Sequence, residues 1–115
     1  MRRLAAPLLV VLVLAVPASA HSLLLEASPP AGSVLADAPR GLALRFNNRI
    51  EKRLSRLRLV DERGQGRELE VAADGAADRL TAPVSAVTPG RYRVEWQVLS
   101  TDGHVVSGRY TFTVK

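Results

Sequence analysis

Two histidines and one aspartate have the clearest potential for metal chemistry in this sequence. His21 directly follows the triplet Ala18-Ser19-Ala20, and His104 ends the stretch Ser100-Thr101-Asp102-Gly103-His104. A small-x-small triplet is typical of the cleavage site of a secretory leader. Cleavage after Ala20 would give His21 a free α-amine beside its imidazole, so the amine and Nδ1 could close one chelate ring on a metal ion.

The residues before His21 have the layout of a signal peptide. Arg2 and Arg3 form a positive start, and an apolar run over residues 5–16 ends at Pro17. This order is that of a secretory signal, and the run is shorter than the ~20 apolar residues of a membrane-spanning helix. We predict a cleaved signal peptide at 1–20, one domain at 21–115, and export to the periplasm without stable membrane insertion. An uncleaved membrane anchor is the alternative.

Asp102 and His104 are spaced so that both could contact one ion. Side chains at positions i and i+2 of an extended chain point the same way, and Gly103 between them allows unusual backbone angles. An Asp-Gly pair between two alternating strands is also a strong hairpin signal. The stretch therefore indicates either a metal site or only a turn, and a histidine created by processing favours the metal site.

The candidate donors are three nitrogens and one oxygen. They are the α-amine and imidazole of His21, one nitrogen of His104 and a carboxylate oxygen of Asp102. Such donors in a tetragonal plane suit Cu(II), whereas zinc accepts them but usually prefers a tetrahedron. Met1 is the only methionine and cysteine is absent. Residues 21–115 therefore contain no sulfur, which excludes a thioether Cu(I) site.

Alternation of apolar and polar residues dominates the rest of the chain. Tyr92, Val94, Trp96 and Val98 share one face of a predicted strand, and the same period of two marks residues 42–46, 57–59, 69–71 and 110–114. Glycine- and proline-containing breakers separate these segments. We predict an all-β fold of about seven strands, a small Greek-key β-barrel or sandwich.

The charge of the chain does not indicate a nucleic-acid partner. The formal net charge is +5, and Arg2 and Arg3 account for two of those charges; the remainder is ordinary for a small domain. Residues 49–58 are dense in arginine and lysine. We interpret them as a loop followed by a strand with an arginine-bearing polar face. A docking patch for anionic lipid or an acidic partner is the alternative.

The sequence resembles the CopC family of periplasmic copper-binding, copper-resistance proteins over essentially all of residues 21–115. The matching stretches are His21 after the leader, residues 28–33 with 38–39, residues 42–47, residues 89–96 and the block STDGHVVSG at 100–108, which runs into YTFTV. That last block is the most specific. The resemblance implies an immunoglobulin-like Greek-key barrel and one Cu(II) per mature chain, bound by His21, Asp102 and His104.

Two departures from the family pattern refine this expectation. Some members carry a methionine-rich loop that binds Cu(I), but residues 51–57 contain no methionine here, which implies a Cu(II) site only. Relatives often have Phe-x-Glu with the glutamate near copper, whereas this chain has Phe46-Asn47-Asn48. Asn48 could donate a hydrogen bond to a copper-bound water but adds no charge.

We therefore predict a monomeric, exported Cu(II) carrier for copper resistance or homeostasis that performs no catalysis and could pass the ion to an inner-membrane transporter of the CopD type. One alternative is a copper oxygenase acting on polysaccharide, which would need a flat aromatic surface. The alternation places Tyr92, Trp96, Tyr110 and Phe112 in the core instead, and Asp102 in the equatorial plane would obstruct oxygen activation. A plain structural immunoglobulin-like envelope domain is the other alternative, but it gives no reason for a histidine directly after the predicted cleavage site.

Overall fold

The chain folds into two β-sheets. A computed structural model describes residues 2–6 and 23–115, so His21 and most of the predicted signal peptide lie outside the described residues. The strands are β1 Leu24–Ser28, β2 Val34–Leu35, β3 Gly41–Phe46, β4 Arg56–Val60, β5 Gly66–Leu69, β6 Arg79–Pro83, β7 Gly90–Leu99 and β8 Val105–Val114, with one 3₁₀ turn at Lys52–Leu54. In this part of the chain, no helix has the length and apolarity needed to cross a membrane.

The two sheets form a sandwich. One has three strands in the order β1-β3-β6, and the other has five in the order β2-β8-β7-β4-β5. Neighbouring strands are antiparallel except for the short parallel pair of β2 with β8. The prediction of an all-β fold is confirmed. The sandwich alternative is right and a closed barrel is not formed, and the described residues contain eight strands where about seven were expected.

The core contains the apolar faces that the alternation predicts. Leu44 and Leu80 of the smaller sheet and Leu57, Val94 and Val98 of the larger one are fully buried. All five aromatic residues of the sequence are buried, as the following pairs illustrate. Phe46 meets Trp96 edge-on with ring centroids 5.3 Å apart, and Tyr92 stacks on Phe112 at 5.5 Å. The chain therefore offers no aromatic side chain to a flat substrate surface.

The arginine-rich segment is a loop and a strand, as interpreted from the sequence. The 3₁₀ turn precedes β4, on which Arg56 and Arg58 are exposed. Arg56 Nη2 lies 3.6 Å from Glu68 Oε1 on the neighbouring strand. The buried Ser55 fixes the turn to the end of β7, because its hydroxyl donates to the Glu51 carbonyl at 2.8 Å and accepts from the Leu99 N–H at 3.2 Å.

The long β7–β8 hairpin determines where Asp102 and His104 lie. The pairing runs from Gly90 opposite Val114 to Leu99 opposite Val105, so residues 100–104 form the hairpin turn at one end of the sandwich. The segment after β3 contacts this turn, since Ile50 bridges to Ser100 and the Thr101 N–H donates to the Arg49 carbonyl at 3.3 Å. The end of β3 and the hairpin turn are therefore neighbours.

Candidate metal centre

Residues 100–104 form a tight turn stabilised by backbone hydrogen bonds. The Ser100 N–H donates to the His104 carbonyl at 2.9 Å, and the Gly103 N–H donates to the Ser100 carbonyl at 2.9 Å. Gly103 has a φ of +89°, a left-handed conformation that glycine adopts without steric cost. The stretch is therefore the hairpin turn that Asp-Gly predicts, and it is also the place where two candidate ligands meet.

The structure brings Asp102 and His104 together. Asp102 Oδ2 lies 3.1 Å from His104 Nδ1, and Asp102 Oδ1 accepts the His104 backbone N–H at 3.1 Å. The reason first given for this proximity, an extended backbone, is wrong. The backbone turns at Gly103, and the carboxylate folds back onto the residue two positions later, as aspartate often does in turns.

Ser100 is the residue beneath this pair that sequence reasoning missed. It is only 2% exposed, and its hydroxyl donates to Asp102 Oδ1 and lies 3.1 Å from the His104 carbonyl oxygen. The Ser100 hydroxyl, followed by the His104 backbone N–H, lowers the pKa of Asp102 from 3.8 to about 2. The carboxylate is therefore ionised across the neutral range, which a metal-binding oxygen requires.

Replacing Ser100 with alanine should raise the pKa of Asp102 from about 2 toward 3.8, because the main donor to the carboxylate is lost. Carboxyl carbon shifts followed by NMR during an acid titration would measure this. A depressed native pKa contributes stability above the ordinary value and loses it as the pH falls through the native value. The variant, whose native pKa is close to the ordinary value, should therefore lack most of this contribution, so its stability should fall less than that of the wild type between about pH 4 and about pH 2. Ser107→Ala, at an exposed position on β8, is the control; an unchanged Asp102 pKa in Ser100→Ala would contradict the assignment.

Both candidate ligand side chains are accessible to an ion from solvent. The His104 side chain is 56% exposed and that of Asp102 is 35% exposed. Within residues 2–6 and 23–115, no group of three or more histidine, cysteine, aspartate or glutamate side chains could hold a metal. The described residues thus supply one imidazole and one carboxylate, and a tetragonal site would need further donors from elsewhere. The role of His21, which lies outside the described residues, stays a prediction.

Leu23 is held by the segment after β3, which also contacts the hairpin turn. The Leu23 N–H donates to Asn47 Oδ1 at 2.6 Å, and the Leu23 carbonyl accepts the Asn47 N–H at 3.0 Å. The sequence argument singled out Asn48, which is partly buried and lines an open depression with its neighbours Asn47 and Arg49. Asn47, the residue that actually holds Leu23, was missed. Its position directly after a strand, where asparagine commonly bonds to backbone, was the available signal.

Comparison with known proteins agrees with this fold. The model of the CopC domain matches residues 24–115, and the chain belongs to the CopC family. Copper resistance protein C of Pseudomonas syringae pv. tomato is 34% identical over 106 residues, covering 85% of this chain and 83% of that protein. The crystal structure of CopC from Methylosinus trichosporium OB3b has a TM-score of 0.77 at 34% identity, covering 83% of this chain and 94% of that one.

A longer relative contains the domain as a small part. Copper transport protein CutJ of Bacillus subtilis (strain 168) is 26% identical over 98 residues, which cover 83% of this chain but only 18% of that protein. The same kind of domain is therefore found both in proteins of similar length to this chain and within a much larger one.

Proposed function

We propose that this protein binds one Cu(II) ion in the periplasm and sequesters or carries it for copper resistance or homeostasis. The ligands are the α-amine and imidazole of His21, the carboxylate of Asp102 and the imidazole of His104. The observation that carries the proposal is the exposed pair of Asp102 and His104, whose Oδ2 and Nδ1 atoms lie 3.1 Å apart at one end of the sandwich. The proposed copper is cargo, and no catalytic step is assigned to it.

The position of Leu23 supports a role for His21. His21 precedes Leu23 by two residues, and two residues span at most about 7 Å. Leu23 is hydrogen-bonded to Asn47, and two residues further along, Arg49 accepts the N–H of Thr101, which adjoins Asp102. This series of contacts from Leu23 to the hairpin turn supports His21 as the source of the remaining donors.

The chemistry of the donors supports Cu(II) in preference to Cu(I). Amine and imidazole nitrogens with one ionised carboxylate oxygen are borderline to hard ligands that favour Cu(II) in tetragonal geometry, whereas Cu(I) prefers thiolate and thioether sulfur. The sequence has no cysteine, and Met1 is its only methionine. Asp102 also contributes a negative charge that offsets part of the charge of the ion.

The names of two relatives support a copper role for this chain. One is named for copper resistance, and in the longer relative a similar domain is part of a protein named for copper transport. A separate copper carrier and a similar domain within a longer transport protein can both deliver copper to a transporter. We therefore propose that this chain passes copper to an inner-membrane transporter of the CopD type. The buried aromatic residues do not support the polysaccharide oxygenase.

A copper titration tests the proposal. Protein purified from the periplasm should have the intact mass of a chain beginning at His21. It should bind one equivalent of Cu(II) against a competing chelator, with a tetragonal spin-resonance signal that shows nitrogen coupling. It should bind no Cu(I) tightly. A different start, two tight equivalents of Cu(II) or stable Cu(I) loading would contradict the proposal.

A further inference from the structure

The outer face of the larger sheet carries an excess of arginine. Arg58 of β4 lies opposite Glu95 of β7, which in turn lies opposite Arg109 of β8. Side chains alternate between the two faces of a strand, and the next position along β7, Val94, is buried in the core. The register of β4, β5, β7 and β8 thus defines an outer surface, which we call the arginine face, with these charged residues: Arg56, Arg58, Arg91, Arg93, Arg109, Glu68 and Glu95.

The arginine face accounts for the whole charge excess of the predicted domain. Its five arginines and two glutamates leave three positive charges, and the formal net charge of +5 leaves the same number once the two arginines of the predicted signal peptide are set aside. Arg56 lies 3.6 Å from Glu68, and Arg93 lies 3.4 Å from Glu95. The other three arginines are exposed, and among residues 2–6 and 23–115 no carboxylate is within ion-pair distance of them. The face therefore presents positive charge that the rest of the described chain does not neutralise.

The arginine face has the size of a transient interface. β7 has ten residues, so the face is about 33 Å long, and four strands about 4.8 Å apart give an area of roughly 450 Å². A Cβ at Gly66 would lie 2.6 Å from Arg58 Nε, so the guanidinium rests against the sheet over β5. Short-lived protein complexes bury less than about 1,200 Å² in total, counting both partners. The area of this face is suited to such a contact.

The composition of the arginine face favours a protein partner over a membrane surface. Every positive charge on it is an arginine, and the two lysines of the sequence, Lys52 and Lys115, lie outside its strands. Arginine binds carboxylates through two parallel hydrogen bonds and is enriched at protein interfaces, where lysine is depleted. Anionic lipid attracts lysine and arginine alike. A second copy placed face to face would bring like charges together, which opposes association.

We propose that the arginine face is a docking surface for a protein with an acidic surface, bound through pairs of arginine and carboxylate. This inference goes beyond the proposed function and does not depend on copper. Leu99 and Val105 are the last pair of β7 and β8 before the hairpin turn, so one end of the face adjoins the turn that carries Asp102 and His104. A protein docked on the face would lie beside the candidate copper ligands.

An NMR titration of the copper-free protein with a peptide of glutamate residues tests the location of binding. The amide shifts of β4, β7 and β8 should change and saturate, whereas those of β3 and β6 on the other sheet should not. Added salt should weaken the binding, because screening acts on exposed charges. Absence of binding, or shift changes spread evenly over both sheets, would overturn the inference.

Two charge-reversal variants with the same net charge test the arginine face itself. Arg58→Glu/Arg109→Glu should weaken peptide binding by at least about tenfold, the factor for losing one hydrogen bond to a charged group. Arg40→Glu/Arg79→Glu, at exposed positions at the edge of β3 and in β6, should retain the wild-type affinity. Equal losses in the two variants would show a response to net charge alone and overturn the inference.

Vesicles of phosphatidylglycerol and phosphatidylcholine test the membrane alternative. Cosedimentation with these vesicles should be equally weak for the wild type and both variants. Strong vesicle binding by the wild type that Arg58→Glu/Arg109→Glu abolishes would identify a membrane surface as the partner and overturn the inference. Both variants should bind Cu(II) like the wild type, because neither changes the hairpin turn. A failure of the wild type to bind Cu(II) would refute the proposed function and leave the docking result unaffected.

Discussion

A form of the protein with one additional residue before His21 should bind Cu(II) at least about a hundredfold more weakly than the form that begins at His21. The extension converts the α-amine into an amide and removes the chelate ring of amine and Nδ1, but it leaves both imidazoles and Asp102 in place. The second donor of a chelating pair binds intramolecularly, and the loss of that advantage typically costs two or more orders of magnitude. The fold should be unchanged, because the described strands begin at Leu24.

The pH dependence of copper binding provides an independent signature of the amine. An α-amine has an ordinary pKa of about 8, and a metal must displace its proton. The affinity of the form that begins at His21 should therefore fall as the pH decreases below about 8, and the extended form should lack this component. Titrations against a competing chelator at several pH values would measure both effects. Equal affinities and parallel pH profiles would mean that the position of cleavage has no role in the site.

Most of the strands that sequence analysis predicted have one buried face. β3, β4, β7 and β8 alternate between buried and accessible positions, and a period of two is detectable whenever a single face packs on a core. The predicted strand at residues 69–71 is wrong in its position, because β5 covers Gly66–Leu69, none of its residues is buried, and residues 70–71 lie beyond it. β1 was missed because it is an edge strand with an irregular register and an apolar run without alternation. β2 and β6 were also missed, because β2 has only two residues and β6 is short and ends in a proline.

Gly108 illustrates a sequence feature whose reason only the fold reveals. It belongs to the most specific block of the resemblance, but nothing in the sequence explains a glycine inside a strand. In the structure it lies opposite Trp96 on β7, and a Cβ at this position would be 2.1 Å from Trp96 Cζ2. The indole occupies the space of the missing side chain. The role of Gly103, in contrast, could be predicted locally, because a turn after Asp102 requires a permissive backbone.

The candidate site was predictable to the extent that its residues are close in sequence. The two-residue spacing of Asp102 and His104 was enough to suggest that they meet, although the backbone that brings them together is a turn. Ser100 and Asn47 were missed, because a hydroxyl or amide acts here through hydrogen bonds to groups whose positions depend on the folded chain. Asn47 and Leu23 are 24 residues apart in sequence, and no local pattern links them.

Replacing His104 with alanine should remove most of the thermal stabilisation that copper provides. A ligand at a thousand times its dissociation constant adds about 4 kcal/mol to the free energy of unfolding. Loss of a nitrogen ligand should weaken binding by at least about a hundredfold, since changes in groups that only support a ligand already cost ten- to a hundredfold. At the same copper concentration the variant would then gain only about 1.4 kcal/mol. The copper-induced rise in Tm should be smaller by roughly 10 °C or more.

Asp102→Asn separates the ligand role of this pair from its role in the turn. The amide oxygen can still accept hydrogen bonds from Ser100 and from the His104 N–H, so the turn should persist while the negative charge is lost. We expect its copper-induced rise in Tm to lie between those of the wild type and His104→Ala, because copper gains more from a nitrogen ligand than from this oxygen.

The metal-free Tm of His104→Ala should match the wild type, since the His104 side chain is 56% exposed and packs in no core. Calorimetry of the wild type and both variants, with and without copper, measures these Tm values. If His104→Ala retained the full copper-induced rise, His104 would not be a ligand, and the hairpin turn would be only a turn.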